Sequence, residues 1–161
     1  MSLDNLNLLD ATLDDLADLK KFEPFPAGSY KTQVAWEFPE DDELVIVRCD
    51  LKLLECLDVP GVSEENMPQP GKTATFWMRL QYKDGRPLLW DDGTPNDQDQ
   101  GRLKEILKAM APVFNPDGTL TNRELIEASQ GAEVLVTLKV RASKKDKDVK
   151  FNEIKELTLA E

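Results

Sequence analysis

Lys72-Thr73-Ala74-Thr75-Phe76-Trp77-Met78-Arg79-Leu80-Gln81-Tyr82 alternates without a break. Ala74, Phe76, Met78, Leu80 and Tyr82 fall on one face, and Thr73, Thr75, Trp77, Arg79 and Gln81 on the other. A period of two belongs to a strand with one face in a core and one in water. Working back from it, residues 58–71 hold three prolines and two glycines and read as a long loop. Before that loop, Leu44 to Leu57 predicts a second strand, with Val45, Val47, Cys49, Leu51 and Leu53 inward and Arg48, Asp50 and Lys52 outward. Ahead of the turn Pro39-Glu40-Asp41-Asp42, Ser29 to Phe38 predicts the first strand, with Tyr30, Val34, Trp36 and Phe38 on one face.

Downstream, Asp84-Gly85, Trp90 and Asp92-Gly93 mark a loop. A helix is expected from Asn96 or Asp97, with Leu103, Ile106, Leu107 and Met110 at helical spacing and a stop before Pro112. Asn115-Pro116-Asp117-Gly118 is a turn, and Thr121 with Glu124 forms a capping box for a short helix to Ser129. Gly131 opens a fourth strand, where Val134, Val136, Leu138 and Val140 alternate with Leu135, Thr137, Lys139 and Arg141. Ser143 to Asp148 is a charged hairpin tip, and Val149 to Leu159 is the fifth strand. Three strands, a helical insert and two more strands match a five-stranded Greek-key barrel of the OB type, whose helix between strands three and four plugs one end. The expected organisation is an acidic N-terminal segment, residues 1–21, and one domain over residues 22–161. In the segment, Leu13, Leu16 and Ala17 make a short amphipathic stripe after Thr12 and Asp15, which resemble a capping box.

Composition narrows the chemistry. A chain of 161 residues can bury a sizeable core, roughly 70% of the surface exposed when unfolded. No apolar run reaches the roughly 20 residues of a membrane-spanning helix. The start lacks the basic and apolar stretches of a secretory signal, which together with the cysteines points to the cytoplasm. Cys49 and Cys56 lie seven apart on one strand, where alternation sends them to opposite faces and no disulfide is expected. The chain has no histidine, which removes the commonest general base, the Ser-His and Cys-His pairs and the commonest zinc ligand. No catalytic residue and no cofactor is expected. Asp91, Asp92, Asp97 and Asp99 match no calcium-loop spacing, and Asp97 is better explained as a helix cap.

The net charge is −11, unfavourable for a partner made of phosphates. That charge is segregated. Residues 1–43 carry eleven acids against Lys20, Lys21 and Lys31, whereas residues 139–150 carry six bases against Asp146 and Asp148. In OB domains the ligand crosses strands two and three, between the loops that join strands one–two and four–five. The outward residues there are Arg48, Lys52, Trp77, Arg79 and Gln81. An indole on a solvent face offers a base a surface worth roughly 1–3 kcal/mol in stacking; Trp77 either serves this way or packs beneath the N-terminal segment or the 58–71 loop. Lys144, Lys145 and Lys147 either grip phosphate, with Lys139 and Arg141 extending the patch, or protect a sheet edge. Trp90 is a second stacking platform or a lid on the barrel.

The segment Phe22-Glu23-Pro24-Phe25-Pro26-Ala27-Gly28-Ser29-Tyr30, the helical insert and the closing Asn152-Glu153-Ile154-Lys155 resemble the small OB-fold single-stranded-DNA-binding proteins of tailed bacteriophages. The resemblance spans residues 20–159. It implies a replication or recombination accessory in the host cytoplasm that coats single-stranded DNA, often as a homodimer. Such proteins often end in an acidic tail that recruits replication proteins, yet here the acid lies at the N-terminus, so residues 1–21 would take that role. The alternative is a phage protein-interaction module, either a virion component or an acidic decoy of a host DNA-binding protein.

Overall fold

The computed structural model describes residues 24–142 and 149–160. Their alternating stretches form β1 (Gly28–Glu37), β2 (Leu44–Asp58), β3 (Thr73–Tyr82), β4 (Glu133–Ala142) and β5 (Lys150–Leu159). Between β3 and β4 come α1 (Gln98–Phe114) and α2 (Asn122–Ala128). The strands make one antiparallel sheet in the order β3-β2-β1-β4-β5, so β1 is central and the helices carry the chain from one side to the other. Inward residues of the strands, among them Val34, Leu51, Met78 and Val136, share one core with Leu103, Ile106, Leu107 and Met110 of α1. The residues 1–21, read from sequence as a separate acidic segment, lie outside the described residues, as does the lysine hairpin tip.

Two side-chain amides extend the sheet where the strands stop. Gln130 Oε1 accepts from the Trp36 N–H at 2.6 Å, and its Nε2 donates to the Trp36 carbonyl at 2.8 Å. Asn152 does the same at the other end. Its Oδ1 accepts from the Phe25 N–H and its Nδ2 donates to the Phe25 carbonyl, both at 2.8 Å. Phe25 is thereby sealed in the core although no strand pairs with it, and its ring meets Tyr30 edge-on at 5.1 Å. The Tyr30 hydroxyl closes the loop by donating to the Pro26 carbonyl. Gly28 follows because a Cβ there would stand 2.5 Å from the Asp58 carbonyl oxygen.

The structure departs from the sequence reading at four places. First, the sheet is not a closed barrel: among the described residues β3 and β5 do not pair. α1 packs against both, and its side chains occupy part of the β3 edge. Asp99 Oδ2 accepts from the Arg79 N–H at 3.0 Å, and Gln100 Nε2 donates to the Leu80 carbonyl at 2.9 Å. Second, β2 is bulged where Lys31 and Thr32 meet Glu55 and Leu53. The extra residue reverses the alternation, so Cys56 packs against the core, as Cys49 does, instead of facing away. Third, α1 runs through Pro112 to Phe114. The hydrogen bond that proline forfeits would have gone to Lys108, on the exposed side of the helix where water can replace it. Fourth, Asp97 stands at the N-cap without making a side-chain cap bond. At α2 the capping box is complete, with Glu124 N–H on Thr121 Oγ1 and Thr121 N–H on Glu124 Oε1.

Asn152→Leu should lower the unfolding free energy by on the order of 3 kcal/mol, because it leaves both main-chain groups of buried Phe25 unpaired. Thr32 is the contrast: it is fully buried and its Oγ1 has no partner, so Thr32→Val should be neutral or stabilising. Urea unfolding of the two variants measures both effects, and equal midpoints would refute this view of Asn152.

Burial, reinforced by neighbouring Asp50, pushes the Cys49 thiol up to about 12. The folded state therefore favours the neutral thiol, while the unfolded chain releases its proton near the ordinary value of 9.0. Stability from this group is intact below pH 9 and falls as pH rises towards 12; Cys49→Ala should flatten part of that alkaline loss in a pH series of melting temperatures.

Candidate nucleic-acid interface

Because β2 and β3 pair in register, their outward side chains stand in rows. Arg48 lies opposite Trp77 on one side and Glu37 on the other, Asp50 opposite Thr75, and Lys52 opposite Thr73. Trp77 is 52% exposed, an outward indole covered by neither the 58–71 loop nor any other described segment. The Arg48 guanidinium carbon lies 5.5 Å from its ring centroid. That guanidinium is itself held by Glu37 and, at 3.3 Å, by Asp50, which also accepts from Thr75 Oγ1 at 2.7 Å. Arg48 thus packs over the indole ring, with both neighbouring carboxylates already answering its charge. Its Nε is buried without a partner.

Lys52 and Arg79 are exposed on the same face as Trp77. Lys52 and the Arg79 side chain enter none of the ion pairs among the described residues. Gln81, expected beside them, is not there: the register slips by one between Arg79 and Gln81, which sets Gln81 opposite inward-facing Val45, where it lines an open groove against α1. Lys139 and Arg141 are also outward, but on β4, separated from β2 by β1. Both reach Glu153 of β5, at 3.8 and 2.9 Å, so this part of the basic patch is partly neutralised within the chain. Lys144, Lys145 and Lys147 lie outside the described residues.

Trp90 stands in a tight hairpin at 48% exposure, beside Leu89 at 56%, and so does not cover the core as a lid would. The turn is self-supporting. Trp90 N–H donates to the Thr94 carbonyl, Gly93 adopts φ +86°, and Asp92 Oδ1 accepts from both the hydroxyl and the N–H of Thr94. These bonds, the hydroxyl's foremost, hold the Asp92 carboxyl below its usual range. Asp99 is similarly engaged, by the Arg79 N–H and the Arg102 guanidinium. Among the described residues no group of three or more acids and cysteines is arranged to hold a metal ion.

The open edge of the sheet adds one feature that no residue pattern announces. Where β3 and β5 fail to meet, a groove of about 540 Å³ opens, lined by Ala74–Met78, part of α1 and Phe151–Leu157. Phe151, 37% exposed, forms part of its wall. No sequence signal marks it, since it depends on a pairing that does not form.

Among the described residues no helix is long and apolar enough to cross a membrane. The chain matches no model of a known protein family, and no curated protein is detectably similar to it in sequence.

Trp77→Ala should change the unfolding free energy by less than about 1 kcal/mol, since half the ring is already wet and one cation–π contact is lost. Trp36→Ala, at 3% exposure with its indole N–H on Ser129, should cost about 3–5 kcal/mol. Chemical denaturation compares them directly; a large loss at Trp77 would assign it a structural role.

Proposed function

We propose that this chain binds single-stranded DNA without sequence preference and without catalysis, through the outward face of β2 and β3 around Trp77. The observation that carries the reading is the half-exposed indole of Trp77, with Arg48 packed over it on a polar sheet face. Every base has a π-face, so stacking on an indole is tolerant of sequence. Lys52 and Arg79 beside it, together with Lys144, Lys145 and Lys147 of the β4–β5 connection, supply the phosphate contacts. The strand order supports an OB-type frame: β1 pairs with both β2 and β4, and a helical insert separates β3 from β4. In OB domains the loops joining strands one–two and four–five border the ligand face. In the cell the protein acts as a phage replication or recombination accessory in the host cytoplasm, as a homodimer, with residues 1–21 recruiting replication proteins.

A second reading is favoured by the charge pairing. Arg48, Lys139 and Arg141 are matched by the chain's own carboxylates, and the net charge is −11. On that reading the chain is a protein-interaction module of a phage, and its acidic surface engages a basic partner protein.

Titration of a fluorescently labelled oligonucleotide at low and high salt separates the two. DNA binding predicts measurable affinity at low salt that falls with a log–log slope of about −0.7 per phosphate contacted. Glu153→Gln should raise that affinity several-fold by releasing Lys139 and Arg141. No binding at low salt would favour the protein-interaction module.

A further inference from the structure

The groove between β3 and β5 has a chemistry of its own. Its floor is apolar, with Ala74, Met78 and Ile106 all buried, and its rim carries one aromatic from each side, Trp77 and Phe151. One wall also presents main-chain groups. Lys72 directs its carbonyl to Leu53 of β2, whereas Arg79 directs its N–H away from β2 to Asp99. No bulge intervenes between Thr73 and Arg79, so by strand alternation Thr75 and Trp77 turn their N–H and C=O towards the groove. Among the described residues no strand lies beyond them to take those bonds.

The charges around the groove argue against an anion inside it. Glu105, Glu153 and Glu156 line it with only Arg102 and Lys155, and Arg102 is already paired with Asp99. A ligand suited to this cleft is flat, uncharged and apolar on its faces, with donors and acceptors along its edge. A nucleobase has those properties, and a phosphate does not. A cleft of about 540 Å³ is also within the roughly 300–1,000 Å³ usual for small-ligand sites.

We infer that the β3–β5 groove is a nucleobase cleft: one or two bases of the bound strand leave the Trp77 stack, turn into the groove against Phe151, and hydrogen-bond along the main chain of Thr75 and Trp77. The inference rests on the DNA-binding reading and extends its site past the strand face. The phosphates stay outside, over Lys52 and Arg79. Because the bonding groups belong to the backbone, the cleft accepts more than one kind of base.

The test measures the affinity of Phe151→Ala and Phe151→Leu for a mixed-sequence oligonucleotide and for an abasic oligomer of equal length. Phe151 is partly exposed on an edge strand, and Phe151→Leu keeps apolar volume if the alanine variant folds poorly. Both variants should bind the oligonucleotide about 10-fold more weakly, the scale of one lost base stack, with abasic binding unchanged; Phe151→Tyr should restore the affinity. Unchanged affinity in Phe151→Leu while Trp77→Ala weakens binding would overturn the cleft and leave the DNA reading standing, with an extended peptide as the better occupant. Equal losses on both oligomers would also overturn it. If the unaltered protein binds neither oligomer, both readings fall together.

Discussion

Phe25 can be buried because Asn152 takes up both of its main-chain hydrogen-bonding groups. That contact ties the stretch before the first strand to the last strand, 127 residues away. Much of the remaining geometry depends on it. With Phe25 in the core, Tyr30 has its ring partner and Pro26 its hydroxyl donor, and Gly28 can press against Asp58. β1 then enters the sheet between β2 and β4, and the alternation that buries Tyr30, Val34 and Trp36 leaves Glu37 outward to meet Arg48. A buried amide satisfied on both sides specifies one arrangement, because any displacement leaves polar groups unpaired in an apolar setting.

From there the route to function is one of placement. β2 and β3 hold their outward residues in fixed rows, and Arg48, gripped by two carboxylates, packs over the Trp77 indole. Stacking needs such a surface and little else, so a chain of net charge −11 can offer it without a broad cationic field. The basic residues of β4 are a different matter. They are drawn to Glu153, so they reach a polyanion only in competition with that carboxylate. On this account affinity is set by a few bases stacked and a few phosphates held, and long-range attraction contributes little.

Period-two patterning located all five strands within two residues of their ends, and the Thr121–Glu124 spacing located the cap of α2. What stayed hidden depends on register. The Lys139 and Arg141 pairs with Glu153 arise from which β4 residue faces which β5 residue, and that pairing slips by one at Thr137. The inward turn of Cys56 follows from a bulge in β2 that no residue type announces. The gap between β3 and β5 has no sequence signature either, because both strands alternate as a paired strand would and only the strand order shows that they do not meet. Outward faces could therefore be read from the sequence only up to a bulge, as Cys56 and Gln81 show, and the neighbours of each outward charge could not. The amide roles of Asn152 and Gln130 belong to the same class, visible only once the strands they extend are paired.

The most direct measurement is nuclear magnetic resonance of the three indole N–H groups while an unlabelled single-stranded oligonucleotide is added. The account predicts that the Trp77 indole signal shifts progressively with the amides of β2 and β3 around it, and that the buried Trp36 signal, bonded to Ser129, stays in place. A Trp77 signal unmoved by excess oligonucleotide at low salt would contradict it.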